Sequence, residues 1–182
     1  MIKKIICIIC FVIVLTTCVY ATERQDRITQ VINNLIDFGI AEDHPIIYDL
    51  QTVLLYDTED VKILANTVWY ESQSCSNRHQ QLVAQVVMNR VIRNDFPNSI
   101  KEVIVAPRQY QKFYVNNLPC YFESSEEMKR CFHNAVKAYR GEVDCPANVV
   151  FQSNNPNLGI GNYETIKFES PWFKSVTYFN YG

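Results

Sequence analysis

The hydrophobic pattern of this chain changes period at Gly141. Before that point apolar residues recur three and four apart in several separate runs. After it come short β-branched and aromatic runs divided by Asn, Pro and Gly. One period cannot serve the other element, so such a chain forms helices first and strands last. The fold expected is α+β and mainly helical, with a few small strands beside a helical core.

Ile28, Val31, Ile32, Leu35 and Ile36 predict an amphipathic helix over 23–37, broken at Gly39, and the stretch holding Pro45 reads as looser. Asp57-Thr58-Glu59-Asp60 reads as a helix start, because acids are favoured in a first turn. The helix that follows runs to about Tyr70 and lines up Leu64, Thr67, Val68 and Glu71. Leu82, Val83, Val86, Val87 and Val91 form the buried stripe of a helix over 78–92. Ser99 caps a short helix through Val103, and Ser124 or Ser125 caps another that runs to Tyr139 and stops at Gly141. Strands are expected at 149–151, 166–168 and 175–179.

The first 21 residues indicate export. Lys3 and Lys4, an apolar run over 5–15 and a small-residue exit at Ala21 make a secretory signal peptide. The run falls short of the roughly 20 apolar residues that a membrane span needs. Lipid attachment at Cys18 is a minor alternative, since Thr17 fits a lipoprotein cleavage site poorly. The expected organisation is a signal peptide at 1–21, a helical extension at 22–57 and one domain at 58–182. No stable membrane span remains after cleavage, and the protein is secreted or periplasmic.

The signal removes Lys3 and Lys4 and no acid, so the 17 cations become 15 against 19 acids, a charge of −4. Without a Lys/Arg cluster, that balance offers nucleic acid no electrostatic footprint. Cys75, Cys120, Cys131 and Cys145 survive cleavage, and an even number in an exported chain favours two disulfides. Three pairings are open, and four free thiols are the alternative.

Glu71 is the unusual carboxylate. It continues the Leu64/Val68 stripe near a helix end, where both desolvation and the helix C-terminus disfavour an anion. A carboxyl kept protonated near neutral pH suits a general acid. The bland alternative is that Glu71 marks where the helix surfaces into the polar turn after it. His44, His79 and His133 are scattered without metal-ligand spacing. No Gly-x-Ser-x-Gly elbow exists. Cys131 and His133 lie too close along one helix to face each other. A thiol peptidase would need Cys131 free.

Leu64-Ala65, Trp69-Tyr70-Glu71, Gln80, Val83-Ala84 and Val86-Val87-Met88-Asn89-Arg90-Val91 stand in order, followed by Phe96-Pro97-Asn98-Ser99-Ile100, Val103-Ile104 and Gln109-Tyr110. This ordered set resembles the cell-wall hydrolase family typified by the spore cortex-lytic enzymes SleB and CwlJ. The likeness is strong to Tyr110 and looser beyond, where 149–154 resembles the family's late aromatic strand. Residues 22–60 fall outside it. Three departures stand out: a Ser-rich turn over 72–78 that holds Cys75, His79 where the family has Gly, and only an echo of the closing strand at 176–181.

The resemblance implies a lysozyme-like, mostly helical fold acting on peptidoglycan glycan strands without a cofactor or metal, associated with the cell wall. It also implies lytic-transglycosylase or muramidase chemistry at the MurNAc–GlcNAc bond, with Glu71 as the acid and base. A two-carboxylate glycosidase needs a partner about 5–9.5 Å away. Asp95, Glu123, Glu164 and Glu169 are the candidates, but none has a motif behind it. Gln109, Tyr110, Tyr114, Gln152 and Asn154 are candidate cleft residues, aromatics for sugar faces and amides for acetamido groups. Asn89 and Arg90 read as structural, with Arg90 on the buried stripe, where its donors could tie helices together. The other reading is a wall-binding or wall-assembly protein that keeps the fold without turnover.

Overall fold

The computed structural model describes residues 21–170 and 174–182 and, within them, every side chain except those of residues 21–24, 113 and 122. The expected signal peptide lies almost wholly outside the described residues. They fall into two compact units, one ending at Thr58 and the other running from Glu59 to Gly182. No helix among the described residues is long and apolar enough to cross a membrane.

In the first unit, α1 (Ala21–Asp37) and α2 (Pro45–Leu55) pack Ile28, Ile32 and Leu35 against Ile47 and Leu50. Helix α2 departs from the looser stretch that Pro45 suggests. Proline sits here in the first turn, where the missing N–H has no intrahelical partner to lose. The His44 ring nitrogen Nδ1 accepts the Ile46 N–H at 3.2 Å and caps the turn.

The second unit begins with α3 (Glu59–Ser72), α4 (Asn77–Val91) and the short α5 (Ile100–Val105). Two 3₁₀ turns follow, Lys112–Val115 and Tyr121–Glu123, and then α6 (Glu126–Tyr139). Ser76, Ser99 and Ser125 cap α4, α5 and α6 by accepting the backbone N–H of His79, Glu102 and Met128. Helix α3 is buried almost all round, with Val61, Ile63, Leu64, Ala65 and Val68 all enclosed, so it forms the centre of the core. Helices α4 and α6 pack on it and on each other.

Strands β1 (Val149–Ser153), β2 (Gly161–Glu169) and β3 (Lys174–Tyr181) make an antiparallel sheet in the order β1-β3-β2. The fold is mainly helical α+β. Strands β2 and β3 run longer than their apolar patches because their ladder carries polar pairs from Gly161↔Tyr181 to Glu169↔Lys174. Hydrophobic alternation cannot mark such residues.

The end of α4 fastens this sheet to the helices. Asn89 Nδ2 donates to the carbonyls of Pro146 and Val149, both at 2.9 Å, and Arg90 Nε donates to the Val150 carbonyl at 2.8 Å. Val150 is the extra residue in a bulge, since Val149 pairs with Tyr181 and Phe151 with Asn180. Its carbonyl lacks a ladder partner, and Arg90 supplies one. Both side chains therefore join a helix to a strand rather than helix to helix.

The disulfide expectation is corrected: Cys75, Cys120, Cys131 and Cys145 are all free. They sit on separate elements. Cys131 is fully buried on the inner face of α6 with Met128, Phe132 and Ala135, where it packs as a small apolar side chain. Cys145 lies before β1, its sulfur 4.0 Å from the Asn89 amide. An even cysteine count permits pairing but does not bring thiols together.

Asn89→Ala should destabilise the fold by about 2 kcal/mol, because the buried Val149 carbonyl and the part-buried Pro146 carbonyl lose their donor. Chemical denaturation of the variant against the parent checks this.

Candidate active site

Glu71 projects from the last turn of α3, half-buried, and two other elements bring donors to its carboxyl. Tyr114, from the first 3₁₀ turn, donates its hydroxyl to Oε1 at 2.9 Å. Gln152 on β1 points its amide nitrogen at Oε2 from 3.4 Å, a long contact. Helix α3 also fixes the backbone of its own partner. The buried Asn66 amide donates to the Tyr114 carbonyl at 2.7 Å.

The end of α3 is held just as firmly. Gln80, fully buried on α4, donates its amide to the carbonyls of Ser72 and Gln73, at 3.0 and 3.3 Å, groups left without an intrahelical donor. Its own oxygen accepts from Asn134 on α6 at 2.8 Å. The turn that carries Glu71 is thereby pinned from two other helices.

Beside Glu71 lies a cavity of about 220 Å³ lined by Arg90, Arg108, Gln109, Tyr110, Phe151, Gln152 and Leu158. Of the expected cleft residues, Gln109, Tyr110 and Gln152 line it directly. Tyr114 reaches the site through its hydroxyl. Asn154 is exposed just past β1 and is not among the lining residues. Arg90, Arg108, Phe151 and Leu158 were not anticipated there.

Leu158 is set by its surroundings. The fully buried Asn180 donates to its carbonyl at 2.8 Å. Gly159, at φ +85°, approaches the Tyr181 carbonyl too closely for any side chain. The Tyr70 ring, half-exposed next to Glu71, stacks on Tyr114 with centroids 4.8 Å apart and planes 7° from parallel.

Burial is the largest influence on the Glu71 carboxyl and pushes its pKa above the ordinary carboxylate value. The Tyr114 hydroxyl opposes this by bonding the charged form. The Tyr110 phenol is pushed up to about 12, first by burial, with Arg90 lowering it and Glu71 raising it. Its hydroxyl and the Gln152 Oε1 are both buried, and neither finds a hydrogen-bond partner among the described residues. Both residues line the cavity, while these two polar atoms are themselves enclosed beneath its surface.

The other carboxylates stand elsewhere. Glu164 is paired with Arg78 at 2.6 Å, Asp95 with Arg93 at 2.7 Å and Glu169 with Lys174 at 3.7 Å. Glu123 is exposed on the second 3₁₀ turn. Among the described residues Glu71 is the one carboxylate that lines the cavity. The histidines are apart: His44 caps α2, His79 is buried edge-on against Phe179, and His133 meets the Tyr121 hydroxyl at 3.2 Å. Cys131, although free, is enclosed in the core, and burial pushes its thiol up to about 11, the opposite of a nucleophile's needs.

The cell wall hydrolase family matches residues 75–176, more than half of the chain. The chain belongs to that family. Two curated spore cortex-lytic enzymes of Bacillus cereus are each 31% identical to it over 84 residues, 46% of this chain. The chain spans about a third (32%) of the length of these curated relatives. The crystal structure of the catalytic domain of the Bacillus cereus SleB protein matches with a TM-score of 0.47 at 22% identity, covering 67% of this chain and 90% of that one. The family match starts at Cys75, after Glu71, so the case for that carboxyl rests on its surroundings in this member of the family.

A carboxyl whose folded pKa is raised holds its proton more tightly in the native state. Its contribution to stability is complete below the ordinary carboxylate range and is lost as pH rises through the folded pKa. Glu71→Gln escapes that loss. Its melting temperature relative to the parent should therefore rise between pH 4 and pH 7, and a difference independent of pH would contradict the burial argument.

Proposed function

We propose that this protein is an exported peptidoglycan glycosidase that cleaves the MurNAc-β-1,4-GlcNAc bond, with Glu71 as its acid and base. The observation that carries the reading is a single half-buried carboxyl in a polar-lined cleft, held at one oxygen by Tyr114. Family membership supports a wall substrate. An exported, wall-associated location follows from that substrate and from the signal pattern at 1–21.

Burial raises the Glu71 pKa and so favours the protonated form that donates to the glycosidic oxygen. As the C1–O4 bond breaks, the leaving GlcNAc oxygen takes that proton. The carboxylate left behind is stabilised by the Tyr114 hydroxyl, whose bond to the anion is the stronger kind. It then removes the proton from the muramic C6 hydroxyl, and O6 closes on C1 to give a 1,6-anhydro sugar. One proton is donated and one recovered, so Glu71 ends as it began and no water is consumed. A single carboxyl suffices because the two acts are sequential. Among the described residues no second carboxylate lines the cavity, which favours this route over water-driven hydrolysis with a second carboxylate as base or nucleophile.

Mass spectrometry of fragments released from purified peptidoglycan tests the proposal. Anhydro-muramic ends are expected from the parent, and Glu71→Gln should lower their release by about 10²–10⁴-fold. Hydrated reducing ends would keep a glycosidase and reject the cyclising step. No fragments from any of several wall types would transfer the case to a wall-binding protein. Tyr114→Phe removes the influence that lowers the Glu71 pKa, so the high-pH limb of activity should move to higher pH in a pH–rate profile.

A further inference from the structure

Arg108 lines the cavity beside Glu71 yet has no hydrogen bond or ion pair among the described residues. Its side chain is exposed and its backbone stands at φ +64°, a left-handed conformation that is uncommon for a residue with a side chain. Such conformations cost free energy and persist where the surroundings impose them, most often at functional sites.

The charge balance of the lining is one-sided. Two guanidinium groups, Arg90 and Arg108, face one carboxyl that burial disposes towards neutrality. Arg90 is already committed. It is 5% exposed, bonded to the Val150 carbonyl and placed 5.4 and 5.5 Å from the Phe96 and Tyr110 ring centroids. Arg108 is the uncommitted cation. An exposed, unmatched guanidinium in the cavity lining selects a carboxylate.

We propose that Arg108 is a specificity-determining residue that pairs with a carboxylate carried on the muramic side of the bound strand. This rests on the glycan-cleaving reading above. The chemistry of the strand supplies the anion in one of two ways. N-acetylglucosamine is neutral. Muramic acid bears a lactyl carboxylate, which is free when the stem peptide has been removed. When the peptide is present that group is an amide, and the carboxylates lie further out on the peptide.

The test measures dissociation constants of the full chain carrying Glu71→Gln, which binds without turnover, alone and with Arg108→Gln or Arg108→Lys added. Glutamine keeps a comparable side-chain length and backbone cost while removing the charge. Three strand preparations serve as probes: peptide-free strands with lactyl carboxylates, peptide-bearing strands, and peptide-free strands with every carboxylate converted to the methylamide. Arg108→Gln should weaken binding about tenfold on a carboxylate-bearing strand and leave methylamide binding unchanged, with Arg108→Lys recovering part of the loss. A loss confined to peptide-free strands assigns the lactyl group, and one confined to peptide-bearing strands assigns the stem. Equal losses on all three strands, or none on any, overturn the inference while leaving the glycosidase reading intact. Failure of the Glu71→Gln protein to bind any strand overturns both.

Discussion

The site depends on one buried amide. Gln80 lies wholly inside the second unit, and its side chain bonds the carbonyls that end α3 while accepting from Asn134 on α6. A buried amide left unsatisfied is costly, so each of these groups constrains the others to one arrangement. The consequence is local. Ser72 and Gln73 immediately follow Glu71, and fixing their carbonyls fixes the direction in which the Glu71 side chain leaves the helix. Helix α4 then does the same at its other end, where Asn89 and Arg90 take the carbonyls of β1. The two walls of the cleft, one carrying Glu71 and one carrying Gln152, are thus positioned by opposite ends of a single helix.

The electrostatics of Glu71 combine two opposed influences. Burial favours the neutral acid, and the Tyr114 hydroxyl favours the anion. A carboxyl in an entirely apolar pocket would keep its proton but could not release it. One with several donors would release it early and never act as an acid. A close phenol donor, aligned by Asn66 and backed by the Tyr70 ring, with the Gln152 amide at longer range, opposes burial without crowding the carboxyl with donors. That balance suits a group that must give a proton and later take one.

Much of this was legible in the sequence because it is periodic. The stripes of α3 and α4, with serine caps at α5 and α6, follow from spacing alone, and Glu71 was visible as a polar residue ending an apolar stripe. What stayed hidden depends on partners distant in the chain. Helix α2 was obscured because proline reads as a breaker unless its position in the turn is known. The roles of Asn66 and Gln80 cannot be read from their own neighbourhoods, since each bonds backbone carbonyls of another element. Arg108 carries no periodic signal at all. Its placement comes from a left-handed turn that a non-glycine sequence does not announce. Asn154, whose type suits a sugar site, is exposed just past the end of β1 at Ser153 and does not line the cavity.

The cysteines and the sheet bulge illustrate one principle from two sides. Composition states what groups a chain possesses, whereas geometry decides which of them meet. Four thiols in a chain with an export-like start invite pairing, yet the inward face of α6 turns Cys131 into core packing. The bulge at Val150 exposes a carbonyl that no strand can satisfy, and Arg90 reaches it from the buried stripe of α4. That bond also restrains one of the two guanidinium groups that face the cleft. With Arg90 held by backbone and rings, Arg108 is the unbonded cation among the described residues of the lining, so the irregularity of one strand indirectly shapes the electrostatic character of the cleft.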